Sequence, residues 1–89
     1  MLGPTDFTPH IGKTLRFGVA ELVLDRVDVH SRPGDPCDAF TLILSGPSGA
    51  VLPEGSYDVS LDGSVLATLH VMPIHTAGSG RQDYQVVFN

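Results

Sequence analysis

The chain has 89 residues, with ten acidic and five basic side chains and a formal charge of −5. Phosphate contacts need clustered cations, so we expect no nucleic-acid partner. No run approaches the ~18 apolar residues that cross a bilayer, and no basic start precedes an apolar run, so we expect neither a membrane segment nor a signal peptide. We expect residues 1–89 to form a single β domain. Its synthesis in the cytoplasm would be compatible with later residence in a virion or another extracellular particle.

Ten glycines and seven prolines interrupt the chain, and no apolar set recurs at helical spacing. Short apolar runs bounded by Gly, Pro, Asp and Ser recur instead, which is the pattern of strands joined by turns. We therefore predict an all-β fold, a small antiparallel sandwich or barrel of six to seven short strands. The single cysteine cannot form an internal disulfide, so packing alone must hold this fold together.

The opening residues contain two prolines and are expected to be irregular, and regular strands are expected after them. Phe7 and Ile11 are expected to cover one end of the core. Leu15 and Phe17 alternate with polar residues and predict a first strand. A turn at Gly18 would then lead into the second strand.

Residues 19–30 predict a long second strand whose apolar phase changes. The apolar residues stand at even positions up to Leu24 and at odd positions from Val27. A bulge near Asp25-Arg26 would return both sets to a common face, which would include Val29.

The middle of the chain alternates loops and strands. Residues 31–38 hold two prolines, a glycine and two aspartates and predict a loop, and residues 46–49 predict a turn. Between them, Phe40, Leu42 and Leu44 predict an inward strand face. Residues 76–82 predict a polar loop before the last strand, whose apolar positions are Tyr84, Val86 and Phe88.

Residues 52–74 predict one complete β-hairpin around a turn at Asp62 and Gly63. A two-residue loop would pair Leu61 with Ser64. Under that register both faces of the hairpin would mix polar and apolar groups.

A three-residue loop, residues 61–63 with Gly63 in the left-handed region, places Val59 opposite Val65. The apolar residues then share one face and Leu66 is the one exception, so we favour this register. Together with the other strands it predicts a largely buried set: Tyr57, Val59, Val65, Ala67, Leu42, Leu44, Val86 and Phe88.

The residues capable of chemistry do not form a recognised site. His70 and His75 are close in sequence, but neither a cysteine nor a carboxylate stands beside them at a ligand spacing, so we expect surface histidines, with His70 on the polar strand face. Cys37 lies between aspartates that disfavour its thiolate. We predict no catalytic residue, no metal and no cofactor. The alternative is a small ligand- or metal-binding module that uses His70, His75 and Cys37.

Two spaced motifs are distinctive together: Leu52-Pro53-x-Gly55-x-Tyr57 and the closing Tyr84-x-x-x-Phe88-Asn89. With Phe40-x-Leu42, Gly46-Pro47 and Pro73-Ile74 between them, the chain resembles a family of small bacterial proteins of unknown function. Members of that family are often encoded beside phage tail-collar proteins of the microcystin-dependent type. The resemblance implies a structural β-protein, a component or assembly helper of a tail-like or surface-fibre system, and supplies no catalytic residues.

Strand edges that lack a neighbour lead us to expect a homo-oligomer or a protein partner. The charges of the second strand, such as Glu21 and Asp28, would protect an edge there. The apolar residues Ile43, Leu66 and Met72 fall on the predicted outer phase of their strands and form a possible interface.

Overall fold

The structure is a computed structural model that describes residues 3–30, 34, 39–47, 51–74 and 80–88. Two short 3-10 helices, Pro4–Asp6 and Thr8–His10, precede the strands. Six strands follow: β1 (Thr14–Phe17), β2 (Ala20–Val29), β3 (Phe40–Gly46), β4 (Gly55–Leu61), β5 (Ser64–Ile74) and β6 (Gln82–Phe88). Of the predicted loop and turns, residues 31–33, 35–38, 48–49 and 76–79 lie outside the described residues. Gly46, predicted in a turn, belongs to β3, and Gln82, predicted in a loop, belongs to β6.

The strands close into an antiparallel barrel in the order β1-β2-β3-β6-β5-β4. Strands β4, β5 and β6 form a meander and β3 lies beside β6, which is a Greek-key arrangement. The predicted all-β fold, a small barrel of six strands, is confirmed.

Apolar side chains fill the barrel. The strands alternate between inward and outward residues, and β3 has the clearest alternation, with Phe40, Leu42 and Leu44 buried. In the described part of the chain no polar or charged residue is buried. The interior is therefore a packed core, whose members are Phe7, Leu15, Phe17, Leu22, Leu24, Phe40, Leu42, Leu44, Val59, Leu61, Leu69, Val71, Tyr84 and Val86.

Three aromatic rings close one end of this core. Phe40 and Phe88 stack with their ring centroids 4.3 Å apart, and Phe7 lies 5.9 Å from Phe40 and 5.6 Å from Phe88. Phe7 is buried, as predicted. The same expectation for Ile11 is wrong, because its side chain is 46% exposed and the three rings already occupy that end of the barrel.

Strand β2 contains the predicted bulge. Its pairing with β3 shifts between Leu24 and Arg26, and this shift brings Val27 against the core after the phase change. Val29 pairs with Phe40 but is exposed, because it is the last residue of the strand.

The predicted three-residue loop of the hairpin is wrong. Leu61 pairs with Ser64, so Asp62 and Gly63 form a two-residue turn. Both turn residues have positive φ, 52° for Asp62 and 83° for Gly63. Such a turn fits the right-handed twist of the flanking strands, and this twist decides the register.

A bulge in β5 returns the apolar residues that follow it to the inner face. Without the bulge, the two-residue turn would leave polar and apolar residues mixed on both faces. Ser60 pairs with Val65 and Val59 pairs with Ala67, so Leu66 has no partner on β4. Leu66 packs against the core, whereas Val65, predicted to be buried, is 70% exposed. Of the other predicted residues, Leu42, Leu44, Val59 and Val86 are buried, and Tyr57, Ala67 and Phe88 are half-buried against the core.

Candidate functional site

Two of the three predicted interface residues lie together on the outside of the barrel. Ile43 on β3 and Met72 on β5 both pair with Gln85 on β6, the strand between them. Directly paired residues of antiparallel strands have side chains on the same face. Both apolar side chains are partly exposed there.

The third predicted interface residue, Leu66, does not join them. The bulge in β5 turns Leu66 towards the core, so its predicted place on the outer face is wrong. At a bulge, the alternation of inward and outward residues shifts by one position, and Leu66 therefore takes an inward position.

The outer surface around Gln85 contains two further apolar residues. Val87 stands two positions along β6 and Ile74 stands two positions along β5, so each keeps the outward phase of its strand. Val87 is exposed and Ile74 is half-buried. We call Ile43, Met72, Ile74 and Val87 the outer patch.

An ion-pair cluster lies beside this patch and fixes the start of β6. Nη2 of Arg81 lies 3.2 Å from Oδ2 of Asp25 and 2.8 Å from Oδ1 of Asp83. The hydroxyl of Ser45 donates to Asp25 at 3.2 Å. Arg81 donates a hydrogen bond to the Asp83 carboxylate, and this bond raises the pKa of Arg81. The negative charge of Asp83 raises the same pKa further. The cluster thus links the start of β6 to the bulge of β2 at the surface.

Of the described histidines, His30 and His70 make local polar contacts, whereas the Nδ1 atom of His10 is buried without a hydrogen-bond partner. Nε2 of His70 lies 3.2 Å from Oε2 of Glu54, on the exposed strand face that the sequence predicts. Nε2 of His30 lies 2.9 Å from the Thr41 hydroxyl. Cys37 and His75 lie outside the described residues. Among the residues that the structure places, no three His, Cys, Asp or Glu side chains form a group that could hold a metal ion.

A shallow groove with a volume of about 300 Å³ lies where β1 meets β2 and β4. Arg16, whose guanidinium lies 3.9 Å from the Glu21 carboxylate, pairs with Glu21 on one side and with Ser60 on the other. The groove brings one cation and two carboxylates together, and all three are solvated, so none has the burial that prepares a group for acid–base catalysis. Its lining is Thr14, Arg16, Glu21, Ser60, Asp62 and Gly63.

Sequence reasoning missed this groove. Its residues come from three segments that meet only through the pairing of β1 with β4, a contact of just two residue pairs. The pattern of residues within one strand does not predict that β1 and β4 pair with each other.

Comparison with known proteins identifies the family of this chain. Residues 2–88 match the model of a family described as Domain of unknown function (DUF6916), and the chain belongs to that family. No curated protein and no solved structure matches the chain. The predicted membership of an unknown-function family is confirmed, and the phage tail-collar neighbourhood stays a prediction. The described helices are single 3-10 turns, and none has the length to span a membrane.

Proposed function

We propose that this protein is a non-enzymatic structural or protein-interaction domain, a component or assembly helper of a phage-tail-like or surface-fibre system. The observation that carries the proposal is the meeting of Ile43 and Met72 on either side of Gln85. Assembly onto such a particle would follow synthesis in the cytoplasm.

The composition of the outer patch suits a protein contact. An interface centre is depleted of charged residues and retains apolar side chains with a few hydrogen-bonding groups. The outer patch supplies four apolar side chains, and Gln85 adds an amide between them. Arg26, which pairs with Ile43, and Asp83, which pairs with Ile74, place charges at its rim.

The barrel interior supports the same interpretation. It is filled by apolar side chains, and the hydroxyl of the buried Tyr84 already accepts a hydrogen bond from the Leu52 N–H at 2.8 Å. Small-molecule sites combine a concave apolar pocket with a few convergent polar groups. The groove beside Arg16 is polar and shallow and lacks the apolar walls of such a site.

Co-purification tests the proposal with a defined partner, the tail-collar-type protein that we expect to be encoded beside this gene. The two chains are expressed together and analysed by size exclusion. We expect them to co-elute, and the variant Ile43→Glu/Met72→Glu to abolish co-elution, since it buries charge in the interface. Val19→Glu/Val29→Glu, which makes the same change in charge at two exposed valines outside the outer patch, is the matched control and should co-elute.

Two results would contradict the proposal: wild-type chains that elute separately, or a double variant that co-elutes as well as the control. The metal-binding alternative has its own test in calorimetry with zinc. Heat of binding that His70→Ala removes would favour that alternative, which uses His70, His75 and Cys37.

A further inference from the structure

Strand β5 has a long edge without a neighbouring strand. One side of β5 pairs with β4 from Ser64 to Val71. The other side pairs with β6 only at its last three residues, Met72–Ile74. Within the part of the chain that the structure describes, the Ser64–Val71 segment therefore has no strand on its second side. We call this segment the β5 edge.

The sequence of the β5 edge lacks the residues that protect edges. Ser64–Val71 contains no Lys, Arg, Asp, Glu or Pro. Proteins normally block an exposed edge with charges or proline, because its free N–H and C=O groups can pair with another strand. Strand β2 pairs with β3 from Val23 to Val29 but with β1 only from Ala20 to Val23, so within the described residues its second half has an open side. Arg26 and Asp28 stand on this half and protect it as the sequence predicts. The β5 edge has no charges of this kind.

We propose that the β5 edge pairs in antiparallel fashion with the same edge of a second copy, which gives a two-fold dimer. Free backbone groups along an extended strand select another extended strand as their partner. The second copy fits because a two-fold axis places the same uncharged segment on both sides, so the paired segments themselves bring no like charges together.

The bulge at Leu66 limits regular pairing to Ala67–Val71. Pairing centred on Leu69 would place Thr68 opposite the partner's His70. Both side chains are on the exposed face, so a hydroxyl and an imidazole would meet there. This surface differs from the outer patch, so the dimer does not depend on the proposed fibre partner.

Sedimentation velocity at micromolar concentration tests the dimer. We expect the wild type to sediment as a dimer and the variant Thr68→Lys/His70→Lys as a monomer, with dimerisation weakened about tenfold or more, because lysines would then face lysines across the axis. The monomer should keep its fold, because both positions are exposed and neither belongs to the core.

The matched control is Val19→Lys/Val23→Lys, which makes the same change in charge at two exposed valines outside β5. It should sediment as a dimer. A monomeric wild type, a dimeric edge variant or a monomeric control would each overturn the proposal.

Hydrogen exchange then locates the contact in the wild type. Amides of the β5 edge should exchange more slowly at high protein concentration than at low. Protection that grows only in other strands would place the interface elsewhere and overturn the proposal. A failed dimer leaves the co-elution test of the outer patch unaffected, so the two proposals can fail separately.

Discussion

The turn of the β4–β5 hairpin depends on two residues in a conformation that favours glycine. Gly63, with φ of 83°, has open space around the position of a Cβ, so strain and not a clash decides its substitution. We expect Gly63→Ala to lower the free energy of unfolding by about 1–2 kcal/mol. Gly55→Ala is the control, because a Cβ there makes an ordinary 3.7 Å contact with Tyr57 and no strain arises. Urea unfolding measures both variants, and equal losses would contradict the turn geometry.

The stacked pair of Phe40 and Phe88 should contribute more than the area that each ring buries. Their centroids are 4.3 Å apart and their planes differ by 9°. A double-mutant cycle with Phe40→Leu and Phe88→Leu should give a coupling energy of about 0.5–1.5 kcal/mol. Leucine keeps the site apolar and limits the loss of packing. Urea unfolding of the four proteins supplies the values.

The control for that cycle is Phe40 with Phe17. Phe17 pairs with the first residue of β2 and Phe40 with its last, so β2 separates the two rings along the barrel. Their substitutions should add to within about 0.5 kcal/mol. A coupling between Phe40 and Phe88 as small as this would show that the stack adds nothing beyond burial.

At the scale of elements, the two registers of the hairpin make opposite predictions for neighbouring residues. In the observed register Leu66 packs against the core and Val65 is 70% exposed. Leu66→Ala should therefore lower the free energy of unfolding by about 1–3 kcal/mol, less than a fully buried leucine because the site is only half-buried. Val65→Ala should change it by less than about 0.5 kcal/mol. Thermal or urea unfolding decides, and the reverse order would restore the three-residue loop.

The two bulges differ in how well the sequence predicts them. In β2 apolar residues stand on both sides of the bulge, so the change from Leu24 to Val27 is visible as a change of phase. In β5 the bulge affects Val65 and Leu66, two adjacent apolar residues, and either could face inward. Only the turn geometry selects between them. Local alternation thus predicts strands and their inner faces, whereas register depends on the partner strand.

The same reasoning explains the outer patch. Ile43 and Met72 were predicted as outward residues because alternation along one strand is a local property. Their meeting at Gln85 depends on β6 lying between β3 and β5, an order that no segment of the sequence encodes by itself. The prediction that Leu66 faces outward is wrong because no local pattern in the sequence indicates the bulge in β5. The sequence therefore predicts candidate surface residues well and their grouping poorly.

At the scale of the whole molecule, closure of the barrel changes the argument for association. Open strand edges are the reason to expect an oligomer. In the described residues the second half of β2, which is charged, and the β5 edge, which is not, lack a strand on one side. A closed barrel otherwise removes edges from contact with other chains. Because charges protect the β2 edge, we expect association at the β5 edge, where it can be tested.

That strand also couples association to stability. A chain of this length buries only roughly 60–65% of the surface of its unfolded form, so the free energy of unfolding of one copy is modest. If two copies pair through the β5 edge, mass action adds stability that grows with protein concentration. We expect the melting temperature of the wild type to rise when concentration is raised a hundredfold, whereas that of Thr68→Lys/His70→Lys stays constant. A wild-type melting temperature independent of concentration would mean that the monomer alone accounts for the stability, and that the β5 edge is left unpaired in solution.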